Sequence, residues 1–158
     1  MMIMGAVHPI LQGAAMTSDE IRSFLDRFVH AWEHQDVAAL GACYTDDCVV
    51  VSPIFSTIKG RTKVEKSYRD LFLAFTNPTI VVDDTIIADS DPARAVLVWT
   101  VKSVHTGNIF GMPGSGKQIE RNMAYLFTFR GGLVAKERRI YDFTSMLMQL
   151  GVLKAKPN

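Results

Sequence analysis

Apolar residues recur at helical spacing in the first half of the chain and at strand spacing in the second, and the change falls near Pro78. Ile21, Phe24, Leu25, Phe28, Val29 and Trp32 form one stripe, and Thr17 with Glu20 makes a capping-box pattern before it. A long amphipathic helix is therefore expected over 18–34. Asp36 can cap a short second helix, VAALGACY, after which DDCVVVSP reads as a brief strand ended by Pro53, with a loop running on to Gly60. A second capping box, Thr62 with Glu65, opens a helix whose stripe is Val64, Tyr68, Leu71, Phe72 and Phe75 and which Asn77-Pro78 stops.

Beyond Pro78 the pattern predicts strands over 79–89, 93–105, 117–130 and 133–143. Asp-Pro, a glycine-rich loop and Gly131-Gly132 separate them, the last two strands make a hairpin, and a helix of about 144–150 closes the chain. Helices followed by an antiparallel meander is the α+β pattern, with helices packed on one face of a sheet. A sheet curled around a helix leaves a conical cavity lined by one parity of each strand. One parity of the second predicted strand holds Leu97, Trp99, Val101, Ser103 and His105, and one parity of the third holds Arg121, Met123, Tyr125 and Phe127. In the last strand Glu137, Arg139 and Tyr141 share a side against Val134, Arg138, Ile140 and Asp142. A bulge would exchange these sets.

The 158 residues suit one domain, expected over 17–158, after a loosely ordered extension over 1–16. The extension is apolar but lacks a positive n-region and is interrupted by His8 and Pro9, so it reads neither as a signal peptide nor as a membrane span, and Met16 is a plausible alternative start. A net charge of +1 leaves no electrostatic footprint for nucleic acid or an anionic membrane. Cys43 and Cys48 are too few and too oddly spaced for a disulfide framework or a zinc site, which makes a reducing cytoplasm the default.

The segment GGLVAKERRIYDFTSMLMQLG (131–151) concentrates ionisable groups on a strand at the end of the core, as a pocket would require. Glu137, Asp142 and His105 are the candidates for moving a proton. Beside Arg138 and Arg139, Glu137 would be held ionised, either orienting a substrate or satisfying a partly buried arginine as a cross-strand ion pair. Asp142 precedes Thr144 and Ser145 and could equally cap the last helix. Tyr141 offers a phenol that can polarise a carbonyl or epoxide oxygen, or simply plugs the sheet. Arg121 could neutralise a carboxylate or an enolate, and Trp99, Tyr68, Met123, Tyr125 and Phe127 would form the apolar wall.

Three motifs are set aside. GMPGSGK (111–117) lacks the Ser or Thr of a phosphate loop, since Gln118 follows it, and it leads into a strand rather than a helix. His30 and His34 with Glu33 between them are not spaced as His-Glu-x-x-His and read as a solvated surface, and DDTIIADSD (83–91) lacks calcium-loop spacing. No metal is expected.

The order of elements, VHTGNIFGMPGSGKQIE (104–120) and IYDFTSMLMQLGVL (140–153) resemble the SnoaL-like ester cyclases and polyketide cyclases of the nuclear transport factor 2-like superfamily, over about 17–156. The resemblance implies a cone-shaped α+β barrel, usually a homodimer, whose cavity takes a hydrophobic small molecule without a metal or organic cofactor. It further implies an acidic general acid or base three positions before the last-strand aspartate. That aspartate matches Asp142, while Arg139 occupies the acid's position and Arg138 that of a tryptophan. The expected function is cofactor-independent proton-transfer chemistry on a hydrophobic carbonyl-bearing substrate, by cyclisation, isomerisation or epoxide or ester hydrolysis. The alternative is a ligand-binding or dimerisation module without chemistry.

Overall fold

The structure is a computed structural model that describes residues 15–156; positions 1–14 of the expected extension lie outside them. Met16, the last position assigned to that extension, is buried against the core. Helix α1 spans Ser18–Glu33, and its capping box forms as expected: Thr17 Oγ1 accepts from the Glu20 backbone N–H, and the Glu20 carboxylate accepts from that of Thr17. Its apolar stripe packs on an inner sheet face built of aromatics. Phe24 meets Phe129 edge to face at 4.9 Å, Phe28 meets Phe127 at 5.2 Å, and Trp32 meets Trp99 at 5.2 Å. Such pairs add about 0.5–1.5 kcal/mol each beyond the area they bury.

Helix α2, Val37–Gly41, is capped by Asp36 as read from the sequence. Strand β1 begins earlier than expected and spans Tyr44–Ser52, while the segment expected as loop contains a short strand β2, Ser56–Lys59. Helix α3, Arg61–Ala74, does not use the predicted Thr62–Glu65 box. Gly60 takes a φ of 91° and occupies the cap position, its carbonyl accepting from Val64 N–H at 3.1 Å, so Thr62 already lies inside the first turn and cannot cap it. Strand β3, Phe75–Ala88, follows without a loop and contains Pro78, which interrupts the ladder between Thr76 and Thr79. A proline is tolerated there because β3 is an edge strand.

Strands β4 (Arg94–His105), β5 (Gln118–Arg130) and β6 (Leu133–Tyr141) complete a six-stranded sheet of order β2-β1-β6-β5-β4-β3, and helix α4, Phe143–Gln149, follows β6. The sheet is mixed, since β1 runs parallel to β6 and every other pair is antiparallel. Gly131 and Gly132, with φ of 58° and 78°, form the two-residue turn that joins β5 to β6 with Arg130 facing Leu133. This is an α+β fold with the helices gathered on one face of a curved sheet. Among the described residues no helix is long and apolar enough to cross a membrane.

Burial follows the predicted parity in β4 and β5 and is broken once in β6. A bulge between Val134 and Lys136 turns Val134 inward together with Glu137 and Arg139, where strict alternation had placed it outside. Phe28 is fully buried among four aromatic neighbours, so Phe28→Ala should cost about 3–5 kcal/mol of stability, read as a lowered urea midpoint with little change of slope.

Candidate functional site

The inner face of β6 carries the charges that the sequence singled out, and the rest of the interior is built around them. Glu137 and Arg139 are each nearly fully buried and form an ion pair along their own strand, not across strands: Arg139 Nε donates to Glu137 Oε1. The Tyr44 hydroxyl donates to Glu137 Oε2 and lies 2.7 Å from the Tyr68 hydroxyl, which makes a chain from β6 through β1 to α3. Arg139 Cζ stands over the rings of Tyr68 at 4.8 Å and Tyr125 at 5.2 Å. Burial alone would pull the guanidinium pKa down, but Glu137 together with Tyr68, Tyr125 and Tyr44 outweighs it, and the net displacement is well upward. Burial also pushes Tyr44 and Tyr68 well above the ordinary phenol range, with the Glu137 charge adding to it. With both oxygens occupied, Glu137 orients its surroundings rather than offering a free base.

A second buried arginine lies on β5. Arg121 is 4% exposed, its Nη2 donates to Ser103 Oγ at 3.3 Å, and its Cζ stands over Phe75 at 5.1 Å and Trp32 at 5.8 Å. Burial lowers its pKa, an effect that Tyr125 and Tyr141 partly offset. Its Nε has no partner, and among the described residues no carboxylate lies within ion-pairing distance of it.

His105 ends β4 on the inner face, 5.6 Å from the Phe75 ring. The Ser115 backbone N–H donates to its Nδ1 at 3.3 Å and Ser115 Oγ lies 2.9 Å from the same atom. With Nδ1 an acceptor, the proton of the neutral ring sits on Nε2, which is buried and unpaired. The loop that supplies Ser115 is pinned where it leaves His105: Thr106 and Gly107 N–H both donate to Ala74 O, and a Cβ at Gly107 would lie 2.0 Å from Leu73 O.

Tyr141 is half-buried at the end of β6, its pKa raised by burial and held back by Ser52. Asp142, next along the chain, is exposed and caps α4, accepting from Ser145 N–H at 2.8 Å. Trp99, Met123, Tyr125, Phe127 and Tyr68 are all buried in the interior wall. The structure thus gathers Glu137, Arg139, Arg121, His105 and Tyr141 on one inner surface and leaves Asp142 at its rim. It adds Tyr44, Ser103, Ser115, Phe75 and the indole of Trp32, of which Phe75 and Trp32 had a sequence signal as members of helical stripes and Ser103 as a member of the inward parity of its strand.

Elsewhere, His30, Glu33 and His34 bring their ligand atoms within 4.8 Å of one another on exposed helix surface, with His34 Nδ1 engaged by the His30 carbonyl. The outer face of the sheet bears a trough of about 700 Å³ running from Val49 and Val51 past Leu126 and Val96 to Ile86, with Arg94, Lys136 and Arg138 at its border.

A profile of the SnoaL-like polyketide cyclase family matches residues 22–150. Among solved structures, the chain is similar to TsrD from Streptomyces laurentii, at 21% identity and a TM-score of 0.75 over 87% of this chain and 99% of that one. It is similar to AclR from Streptomyces galilaeus, a candidate hydroxylase, at 21% identity and a TM-score of 0.76 over 87% and 100%. A protein of Catenulispora acidiphila with a ketosteroid isomerase-like fold, solved with trimethylamine, matches at 18% identity and a TM-score of 0.67 over 81% and 92%. No curated protein matches the sequence.

Glu137→Gln or Arg139→Met alone should destabilise the fold by about 3–5 kcal/mol, because each leaves the other charge buried without its partner, whereas the double variant should recover much of the loss in a denaturant double-mutant cycle. Tyr44 and Tyr68 are held protonated in the folded chain, so stability should be fully present below pH 10 and fall above it as the unfolded chain alone releases those protons. Absorbance at the phenolate band, followed with circular dichroism, should show their ionisation coinciding with unfolding.

Proposed function

We propose, from the premise that this chain belongs to the SnoaL-like polyketide cyclase family, that it is a small-molecule enzyme performing cofactor-independent proton transfer on a hydrophobic carbonyl-bearing substrate inside the helix-covered face of the sheet. The observation that carries this reading is His105: a buried imidazole whose tautomer is set by Ser115 and whose Nε2–H has no partner. A neutral imidazole N–H aimed at a carbonyl oxygen acts as an electrophile, and it gains most as negative charge develops on that oxygen. Tyr141 and Arg121 add a phenol and a positive charge on the same inner surface.

The proton leaves the carbon next to the carbonyl for a carboxylate oxygen of Asp142 at the rim. The C–H electron pair becomes the enolate double bond, and the carbonyl π pair moves onto the oxygen held by His105. Cyclisation, isomerisation and ring opening of an epoxide or lactone all begin with such activation of an oxygen. Arg139 at the position of the family's acid, paired with Glu137, favours a second reading: a binding module without chemistry.

We also propose that the outer trough pairs two copies of the chain. Ile86, Leu126 and Ile140 are 58%, 37% and 50% exposed on that face, an apolar patch larger than isolated surface residues make.

Deuterium incorporation next to the carbonyl of 4-phenyl-2-butanone in heavy water tests the enzyme reading. His105→Ala should slow it by about a hundredfold. Asp142→Asn should do the same without loss of stability, because asparagine caps a helix as well as aspartate does. Binding of such ketones with no exchange above buffer would establish the module instead. For the dimer, Ile86→Lys with Leu126→Lys should halve the mass found by sedimentation equilibrium.

A further inference from the structure

The interior is unbalanced in charge and in hydrogen bonding, and both imbalances have the same sign. Its buried ionisable side chains include two arginines and one carboxylate, and that carboxylate, Glu137, is spent on Arg139 and Tyr44. Arg121 is left with one hydroxyl partner at 3.3 Å and a free Nε–H. A guanidinium does not give up its proton in a protein, so the uncompensated charge stays. The rings of Trp32 and Phe75 meet it through their faces and take none of its N–H groups.

Every buried nitrogen without a partner among the described residues is a donor: Trp32 Nε1, Trp99 Nε1, His105 Nε2, Arg121 Nε and Arg139 Nη2. Three of these side chains are linked by short steps, since Phe75 touches both His105 and Arg121, and Arg121 touches Trp32. A neutral ketone would answer one donor and leave the buried charge unmatched. A planar anion with two oxygens answers the charge and several donors together, because the Nε and Nη2 edge of arginine is a fork for a carboxylate.

We propose that the ligand of this interior carries a carboxylate on an aromatic or similarly flat apolar body, and that Arg121 is the residue that selects it. This rests on the reading that the inner face is the substrate site. Ser103 sets the guanidinium, Trp32 and Phe75 flank it, and the body of the ligand lies along Trp99 and Met123, which face each other across β4 and β5 one inward row from Arg121.

Trp32 and Trp99, the two tryptophans of the chain, both lie in this region, so their fluorescence reports its occupation. The wild-type protein is titrated with 2-naphthoate and with 2-naphthamide, which share shape and differ in charge. Naphthoate should bind at least about tenfold more tightly. Arg121→Met, checked for folding by thermal melting, should bring naphthoate down to the affinity of the amide, while Arg121→Lys should keep part of the preference. Equal affinity of the acid and the amide for the wild type needs no variant to interpret, and it would overturn the carboxylate assignment while leaving an apolar interior site in place. An undiminished preference in Arg121→Met would overturn it as well. Failure of naphthoate, naphthamide and 4-phenyl-2-butanone alike to quench the tryptophans would overturn both this assignment and the interior site on which it rests.

Discussion

The arrangement of the molecule turns on the buried pair of Glu137 and Arg139. Placing a carboxylate and a guanidinium inside a core of aromatic rings carries a desolvation cost that is met only if nearly every polar atom finds a partner. Glu137 meets that condition by accepting from Arg139 on its own strand and from Tyr44 on β1, with Tyr68 of α3 completing the chain. Three elements distant in sequence are thereby fixed in register, because a shift of β1 against β6 by one residue would take the Tyr44 hydroxyl away from its acceptor. The pairing of β1 with β6, the parallel one in an otherwise antiparallel sheet and so slightly less stable per residue, is the one this network reinforces.

In the reading we propose, the same pair leaves the rest of the interior to ligand chemistry. Among the described residues a single buried carboxylate cannot serve two arginines, and its engagement with Arg139 and Tyr44 leaves free N–H groups on Arg121 and His105, beside those of Trp32, Trp99 and Arg139 Nη2. Paired and unpaired charge are thus separated along one sheet face. The rows nearer the turn at Gly131-Gly132 hold the Glu137–Arg139 network, in which only Arg139 Nη2 lacks a partner, and the rows nearer α4 hold the unpaired N–H groups of Trp99, Arg121 and His105.

Much of this was legible in the sequence, and the gaps have physical causes. The stripe of α1 and the capping box before it follow from local spacing and chemistry, and both formed. The inward facing of Trp99, His105, Arg121 and Tyr125 follows from simple alternation, which β4 and β5 obey without a bulge. Val134 escaped because one extra residue in β6 resets the parity, and nothing local in LVAKE marks that place. Tyr44 read as the tail of a short helix, whereas it begins a strand, and its bond to Glu137 spans 93 residues. Ser115 belongs to a loop whose closure on His105 depends on where α3 ends, and the Thr62 cap was displaced by a glycine two positions earlier. Pairings set by the path of the chain, rather than by its period, are what a linear reading misses.

Helix α4 is anchored by Met146, and by Leu150 just after it, both buried in the core, and by two further contacts. The Gln149 side chain accepts from the Glu120 backbone N–H and donates to the Glu120 carbonyl, and Phe143 rests edge to face against Phe110 at the tip of the loop that follows His105. The helix and the loop cover the same end of the sheet, the end where His105, Arg121 and Tyr141 stand. In the reading we propose, traffic and tightness would be separate properties: the contact of Phe143 with Phe110 would set how fast a guest arrives and departs, and the buried donors how long it remains.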